Sequence, residues 1–169
     1  KYLRNLSKVV NLAKTRGLIQ TNPIDLLPLK MQTVEREFLT QDELKRLEEK
    51  QIGISRLEQV RDIFLFCCLT GLAYIDVASL NMENIVEGKR GRQWLRKARN
   101  KTNNMCNIPL LRPALRILEK YAEYRTATGR LLPVPSNQKM NAYLKELATL
   151  CGVTKNLTTH CAKHHTISI

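Results

Sequence analysis

The chain has 169 residues, 43% of them apolar, enough to bury the core of one ordinary domain of about 100 to 150 residues. Its 28 Lys and Arg against 15 Asp and Glu give a formal net charge of +13, which favours a polyanionic partner, nucleic acid before a membrane surface. No stretch approaches the roughly 20 apolar residues of a membrane span, and no cleavable signal precedes the start, so we expect a cytoplasmic protein without membrane contact.

The first predicted element is a helix from Tyr2 to Arg16, whose apolar residues fall on one face. Asn22-Pro23 then marks a turn, and residues 24 to 37 have few helix signals, which is typical of a linker. The sequence therefore predicts a boundary near Arg36, with residues 1–35 closing one unit and residues 36–169 forming the next domain.

Helices dominate the first half of that second domain. Thr40 followed by Glu43 is a capping box that opens a charged helix reaching Lys50. The run from Arg56 to Leu69 becomes wholly apolar toward its end, so it should be the most buried helix. A short helix from Ile75 to Leu80 is predicted to follow.

The pattern then changes to short strands. Gln93 to Thr102 and Met105 to Leu110 flank Asn103-Asn104, which predicts a two-stranded hairpin. Three more helices are predicted, over residues 114–125, over residues 137–150 and from Thr158 or Thr159 onward. The predicted fold class is mainly α with a small antiparallel β-sheet (α+β).

A basic cluster lies on the predicted hairpin. The segment KRGRQWLRKARNK, residues 89 to 101, holds seven basic residues and no acidic one. Lys and Arg neutralise DNA phosphates with little sequence preference, whereas the alternative is a solvated hairpin face. The residues predicted to bind DNA are Lys89, Arg90, Arg92, Arg96, Lys97 and Arg99.

The order of motifs resembles the catalytic domain of the tyrosine recombinases, the phage-integrase family, which includes site-specific integrases of bacterial mobile elements. The similarity rests on Thr70-Gly71-Leu72, Lys101-Thr102, Ile108-Pro109-Leu110 and a helix that opens near His160. It implies a tyrosine-recombinase catalytic-domain-like fold, truncated at the C-terminus before the helix that carries the nucleophilic tyrosine. Residues 1–35 would be the last helix of a core-binding domain plus linker, and residues 36–169 the catalytic domain.

The resemblance implies a reaction without metal or cofactor, in which a tyrosine attacks a DNA phosphodiester and forms a 3′-phosphotyrosyl link. Two arginines clamp the phosphate oxygens, a hairpin lysine protonates the leaving oxygen and a histidine assists. By position, Lys101 matches the lysine, His160 the histidine, and Asp76 the acidic residue that supports the first arginine.

The chain departs from the family at the clamp and at the nucleophile. Ala73 stands at the first arginine, and a methyl group supplies neither a donor nor a charge. The second arginine is replaced by Lys163 or by His164, depending on how the following residues align. All five tyrosines precede this motif, whereas the family's nucleophile follows it, so we expect the chain alone not to cut DNA.

A metal site is not predicted. His160 and His164 are four residues apart and could share a helical face, with Cys161 beside them, but the glutamate of a zincin motif and a distant third ligand are lacking. The five cysteines show no paired spacing and are predicted to be reduced thiols.

Three functions remain open. The first is a DNA-binding fragment of a site-specific tyrosine recombinase (integrase) that acts in DNA integration and recombination and is inactive alone. The second is an intact enzyme that takes its missing residues from further sequence or partner chains. The third is a basic nucleic-acid-binding module without recombinase activity, which the 5% aromatic content disfavours. The expected partner is double-stranded DNA. The resemblance implies a homo-tetramer on DNA for the full-length protein, whereas the fragment could be a monomer.

Overall fold

The structure is a computed structural model that describes residues 2–27, 39–88 and 91–162. The chain divides into two compact units, Lys1–Glu35 and Arg36–Ile169. The first unit holds helix α1 (Tyr2–Thr15) and a 3₁₀ turn at Pro23–Leu26. The side chain of Asn22 caps this turn by accepting the Ile24 amide, and it donates to the Asn11 side chain of α1 at 2.8 Å. The apolar face of α1 is more than half exposed at Leu3, Leu6, Val9 and Leu12.

The second unit is mostly helical with one small antiparallel sheet, which confirms the predicted fold class. Its elements are α2 (Gln41–Glu49), α3 (Ser55–Thr70), α4 (Tyr74–Ala78), β1 (Ile85–Glu87), β2 (Gln93–Ala98), β3 (Met105–Pro109), α5 (Arg112–Lys120), α6 (Ala122–Thr128), α7 (Asn137–Leu150) and α8 (Thr159–Ala162). No helix in the described ranges is long and apolar enough to cross a membrane.

Helix α3 forms the centre of this unit. Its second half is buried on all sides, with Ile63, Phe66 and Cys68 fully inaccessible, as the apolar run predicts. α2, α5, α7 and α8 all pack against it. A helix buried all round is a central core helix, so α3 is the element on which the others are placed.

The sheet has three strands in the order β1-β2-β3, whereas the sequence predicted a hairpin of two. β1 has only three residues and therefore carries no alternating pattern that could be read; it forms by pairing with β2. Leu95 of β2, opposite Ile85 and Ile108, is fully buried and attaches the sheet to the core. β2 also ends earlier than predicted, because residues 99 to 104 form the turn, in which Asn103 adopts a φ of +55°.

The single helix predicted over residues 114–125 is two helices that meet at Tyr121. Next to the break, the Lys120 ammonium and the Tyr121 hydroxyl both donate to the buried carboxylate of Asp62 on α3, at 2.7 and 2.9 Å. Desolvation and the Asp62 charge raise the pKa of Tyr121 well above its ordinary value. This contact from α3 holds the junction, and local sequence patterns do not report it.

The predicted capping box at the start of α2 is present and also carries a charge pair. Thr40 accepts from the Glu43 amide, and the Thr40 amide donates to the Glu43 carboxylate at 2.7 Å. Lys155, between α7 and α8, donates to the same carboxylate oxygen at 2.7 Å. Burial alone would raise the pKa of Glu43, but the bonds from Lys155 and Thr40 outweigh it and lower that pKa below 4.5.

We predict that Glu43→Gln lowers the free energy of unfolding by about 1–3 kcal/mol at neutral pH, because glutamine keeps the cap but loses the charge-assisted bond to Lys155. A group with a lowered folded-state pKa stabilises above its unfolded pKa and loses that effect as the pH falls through the folded value. The difference from wild type should therefore vanish as the pH falls below 4.5. Urea unfolding across this range measures it.

The matched control is Glu49→Gln, because Glu49 lies on the same helix in an exposed pair with Lys45 at 3.8 Å. Exposed pairs contribute about 0–1 kcal/mol, so this variant should change little at any pH. A loss at Glu43→Gln that persists unchanged in acid would contradict the role given to the charge pair.

Candidate nucleic-acid interface

The connection between α3 and α4 fixes the position of Ala73. α3 ends at Thr70 and is capped by Gly71, whose φ of +64° lies in the left-handed region that favours glycine. The Thr70 hydroxyl donates to the Phe66 carbonyl at 2.7 Å and accepts from the Leu72 amide at 3.4 Å. Ala73 follows with an extended backbone and is half-buried directly before α4. The position of the expected arginine therefore presents a methyl group at the start of α4.

Asp76 joins α4 to the turn between β2 and β3. Its side chain is buried, and its Oδ1 accepts the backbone N–H of Asn100 at 2.8 Å. The side-chain amide of Asn100 donates to the Ile75 carbonyl at 3.1 Å and to the Ser79 hydroxyl at 3.2 Å. Lys101, the next residue, is exposed. The structure thus brings two predicted site positions, Asp76 and Lys101, into one local cluster.

The basic residues of the hairpin do not share one environment. Arg96 is exposed and faces Asn107 across the ladder, on the face opposite to the buried Leu95. Lys97 and Arg99 are half-buried: Lys97 donates to the Ser79 carbonyl at 3.5 Å, and the Arg99 Nε donates to Cys106 Sγ at 3.1 Å. Arg96 and the exposed Arg92 are therefore freer to meet an external phosphate than their neighbours on the strand.

Four predicted site residues lie outside the described ranges: Lys89, Arg90, Lys163 and His164. His160 is described and lies exposed on α8. This helix is held at its start by Asn141 of α7, whose Oδ1 accepts the Thr159 amide at 3.0 Å, and it buries Ala162. Within the described ranges no group of three or more His, Cys, Asp or Glu residues is placed to hold a metal ion.

The segments that carry His160 and Lys101 are held by different helices. α8 packs on α3 and α7, whereas the turn of Lys101 is bonded to α4, which follows α3 directly. α3 therefore contacts the helix of His160 directly and leads along the chain into the helix that holds the turn of Lys101.

Three tyrosines of this unit, Tyr74, Tyr121 and Tyr143, pack against its core. The Tyr74 hydroxyl donates to the Pro135 carbonyl at 2.6 Å, and burial raises the pKa of that phenol. Tyr121 donates to Asp62, and the ring of Tyr143 lies 4.9 Å from the Arg56 guanidinium carbon. Tyr124 is half-buried on α6. A phenol with a raised pKa and a carbonyl acceptor is a poor nucleophile at neutral pH.

The five cysteines differ in burial, and burial determines their reactivity. Burial, with a smaller contribution from the Asp76 charge, raises the pKa of Cys67 to about 12. Burial likewise raises the pKa of Cys68 well above its ordinary value, with smaller contributions from Cys67 and Cys161. Cys151 is also buried, whereas Cys106 and Cys161 are half-exposed.

The sequence analysis missed three residues whose side chains hold the turn of Lys101 and the start of α8 by hydrogen bonds: Ser79, Asn100 and Asn141. The only local signal was an asparagine directly before Lys101, at the end of a predicted strand. Their partners lie 18 to 25 residues away along the chain, so the bonds depend on tertiary placement.

Comparison with known proteins gives structural similarity only. No protein-family model and no curated protein sequence matches the chain. A lambda integrase dimer bound to a COC′ core site aligns with a TM-score of 0.71 and 19% identity, over 95% of this chain and 59% of that one. XerA recombinase aligns with a TM-score of 0.59 and 18% identity, over 94% and 57%. The lambda integrase catalytic core aligns with a TM-score of 0.61 and 17% identity, over 78% of this chain and 81% of that one.

This chain has the fold of a tyrosine recombinase catalytic domain. That confirms the resemblance read from the motifs, and it concerns the fold, because all three identities are below 20%. This chain spans somewhat more than half the length of the lambda integrase chain in the dimer structure, and likewise of the XerA chain.

We predict that about two of the five thiols react with a disulfide reagent in the native protein, namely Cys106 and Cys161, because thiolate is the reactive form and burial suppresses it at the other three. Absorbance of the released thiol counts them, and peptide mapping locates them. All five should react in denaturant. Fast labelling of Cys68 in the native protein would contradict the packing of α8 on α3.

Proposed function

We propose that this chain is a duplex-DNA-binding fragment of a site-specific tyrosine recombinase that acts in DNA integration and recombination, and that it does not cleave DNA by itself. The observation that carries the proposal is the recombinase-like fold in which the turn of Lys101 is bonded to Asp76 of α4. We propose that the parent protein is encoded by a bacterial mobile element and acts in the cytoplasm, in line with the resemblance to phage integrases.

Charge and exposure support DNA as the partner. The net charge of +13 favours a polyanion, and three cations are exposed in this region: Arg92 directly before β2, Arg96 on β2 and Lys101 in the turn after it. Structural neighbours include a lambda integrase dimer on a COC′ core site and XerH recombinase on its difH substrate. We propose that Lys89, Arg90, Lys97 and Arg99 extend the same contact surface.

The proposed roles at the phosphate follow the resemblance. Lys101 would be the general acid, His160 would assist phosphate contact, and Lys163 or His164 would stand in for the second arginine. A lysine keeps the charge without the planar fork of arginine, and a histidine keeps less of both at neutral pH. With Ala73 at the first arginine, the phosphate clamp is incomplete, which supports binding without cleavage.

The assembly is proposed from the same neighbours. One of them is a lambda integrase tetramer bound to a Holliday junction, and the alignment covers 50% of the length of the integrase chain in that structure. We propose a homo-tetramer on DNA for the full-length protein and a monomer for this fragment.

We predict that Arg96→Ala and Lys101→Ala each weaken duplex binding and each reduce the magnitude of the salt slope by about 0.9, the value for one lost phosphate contact. Fluorescence anisotropy with labelled duplex at several salt concentrations gives both quantities. The control is Lys45→Ala on the acidic helix α2, which should leave the slope unchanged. Unchanged slopes for both hairpin variants would remove the hairpin from the interface.

Binding to single strands separates the main proposal from a general nucleic-acid-binding module. A recombinase fragment should prefer duplex DNA, because single-strand binders use exposed aromatic rings and Trp94, the one tryptophan, is half-buried. Equal affinity for single strands would favour the module.

We also predict that the chain forms no phosphotyrosyl adduct on a nicked suicide duplex, judged by a covalent band on a denaturing gel. Ala73→Arg should tighten duplex binding by about fivefold at about 0.15 M salt, through one added phosphate contact, and still give no adduct. Ala73→Met adds bulk without charge and should not tighten binding. A covalent adduct from any of these proteins would overturn the proposal that the chain lacks a nucleophile.

A further inference from the structure

The turn between β2 and β3 is fastened to α4 by hydrogen bonds that involve Asp76, Asn100 and Ser79. The buried Asp76 carboxylate accepts the Asn100 backbone N–H at 2.8 Å. The two hydrogens of the Asn100 amide nitrogen are both used, on the Ile75 carbonyl at 3.1 Å and the Ser79 hydroxyl at 3.2 Å. We call this set of three bonds the Asn100 clasp.

The clasp has a further support at its edge. The Ser79 hydroxyl donates to backbone carbonyls of α4, with distances of 3.1 Å to Ile75 and 3.0 Å to Asp76, so its lone pairs remain available to Asn100. The Lys97 ammonium donates to the Ser79 carbonyl at 3.5 Å. The turn itself is closed by the Asn103 amide on the Arg99 carbonyl at 2.8 Å. Both ends of the turn are thereby fixed.

The clasp uses Asp76 in a way that the resemblance does not imply. There, the acidic residue supports an arginine three positions earlier, but here Ala73 has no group to receive that support. The Asp76 carboxylate bonds the hairpin backbone instead. A lysine side chain is long and flexible, so where the Lys101 ammonium can reach depends on where the backbone of residues 100 and 101 is held.

We propose that Asn100 is a positioning residue, which through the clasp holds Lys101 against α4 for contact with a DNA phosphate. This inference deepens the proposed function and rests on it for the identity of the ligand. Asn100 itself is not proposed to touch DNA: its backbone N–H and one amide hydrogen are bonded to α4, and the other amide hydrogen is bonded to Ser79 directly after that helix. It acts through the residue that follows it.

The first experiment tests the clasp without DNA. Amide hydrogen exchange should show the Asn100 N–H protected in the wild type and exchanging at least about tenfold faster in Asp76→Ala, since the carboxylate acceptor is gone. The control is Asn104→Ala, an exposed asparagine of the same turn, which should leave Asn100 exchange unchanged. Equal exchange in wild type and Asp76→Ala would overturn the clasp.

The second experiment tests positioning by a double-mutant cycle in duplex affinity. Asn100→Ala should weaken binding by about fivefold at about 0.15 M salt and reduce the salt slope by about 0.9, although no positive charge is removed, because the Lys101 contact is lost. The double variant Asn100→Ala/Lys101→Ala should bind no more weakly than Lys101→Ala. Asn104→Ala should bind as the wild type does.

The outcomes separate the two proposals. Additive losses in the cycle, or a wild-type salt slope in Asn100→Ala, overturn the positioning role while duplex binding itself stands. Absence of duplex binding by the wild type overturns the proposed function, and the positioning role toward a phosphate falls with it. The exchange measurement still decides in that case whether Asp76 holds the hairpin turn.

Discussion

The burial of α3 is the constraint on which the second unit depends. Removing this helix from water supplies a large part of the hydrophobic driving force, because its second half contributes Phe64, Phe66 and two cysteines to the core. Four other helices pack against it. Its end is equally decisive, since the left-handed residue Gly71 turns the chain so that α4 begins beside the hairpin. The helix that forms the centre of the core thus also determines where the candidate site begins.

Such an arrangement places exposed polar side chains on segments that are bonded to, or packed on, neighbouring helices. Lys101 and His160 lie on short elements that would not be stable alone, a turn and a helix with four described residues. The turn is bonded to α4, and the helix is bonded to α7 and packed on α3. Functional side chains on short segments gain their precision from such supports. Ser79 and Asn141 provide such support: their side chains accept hydrogen bonds that hold the turn of Lys101 and the start of α8.

Periodicity and capping predicted the helices of this chain well where the signal is local. The Thr40–Glu43 box and the apolar run of α3 are both present, because each depends on residues within one or two turns. β1 and the break at Tyr121 were missed because a pairing partner and a buried carboxylate, both distant in sequence, determine them. Motif order predicted the fold, which the structural similarity confirms, whereas the roles of Lys101 and Asp76 at a phosphate stay predictions. It did not give the bond between Asp76 and Asn100, which requires the tertiary structure.

The pair of Glu43 with Lys155 joins residues separated by 112 positions, and Arg56 on α3 bonds to Glu146 on α7 across 90. Both pairs close very long loops, and long-range contacts slow folding because the chain must be brought together before they form. During synthesis α2 and α3 leave the ribosome long before α7. Part of the apolar surface of α3 therefore stays uncovered until α5, α7 and α8 have been made, and exposed apolar surface of this kind favours aggregation of an incomplete chain.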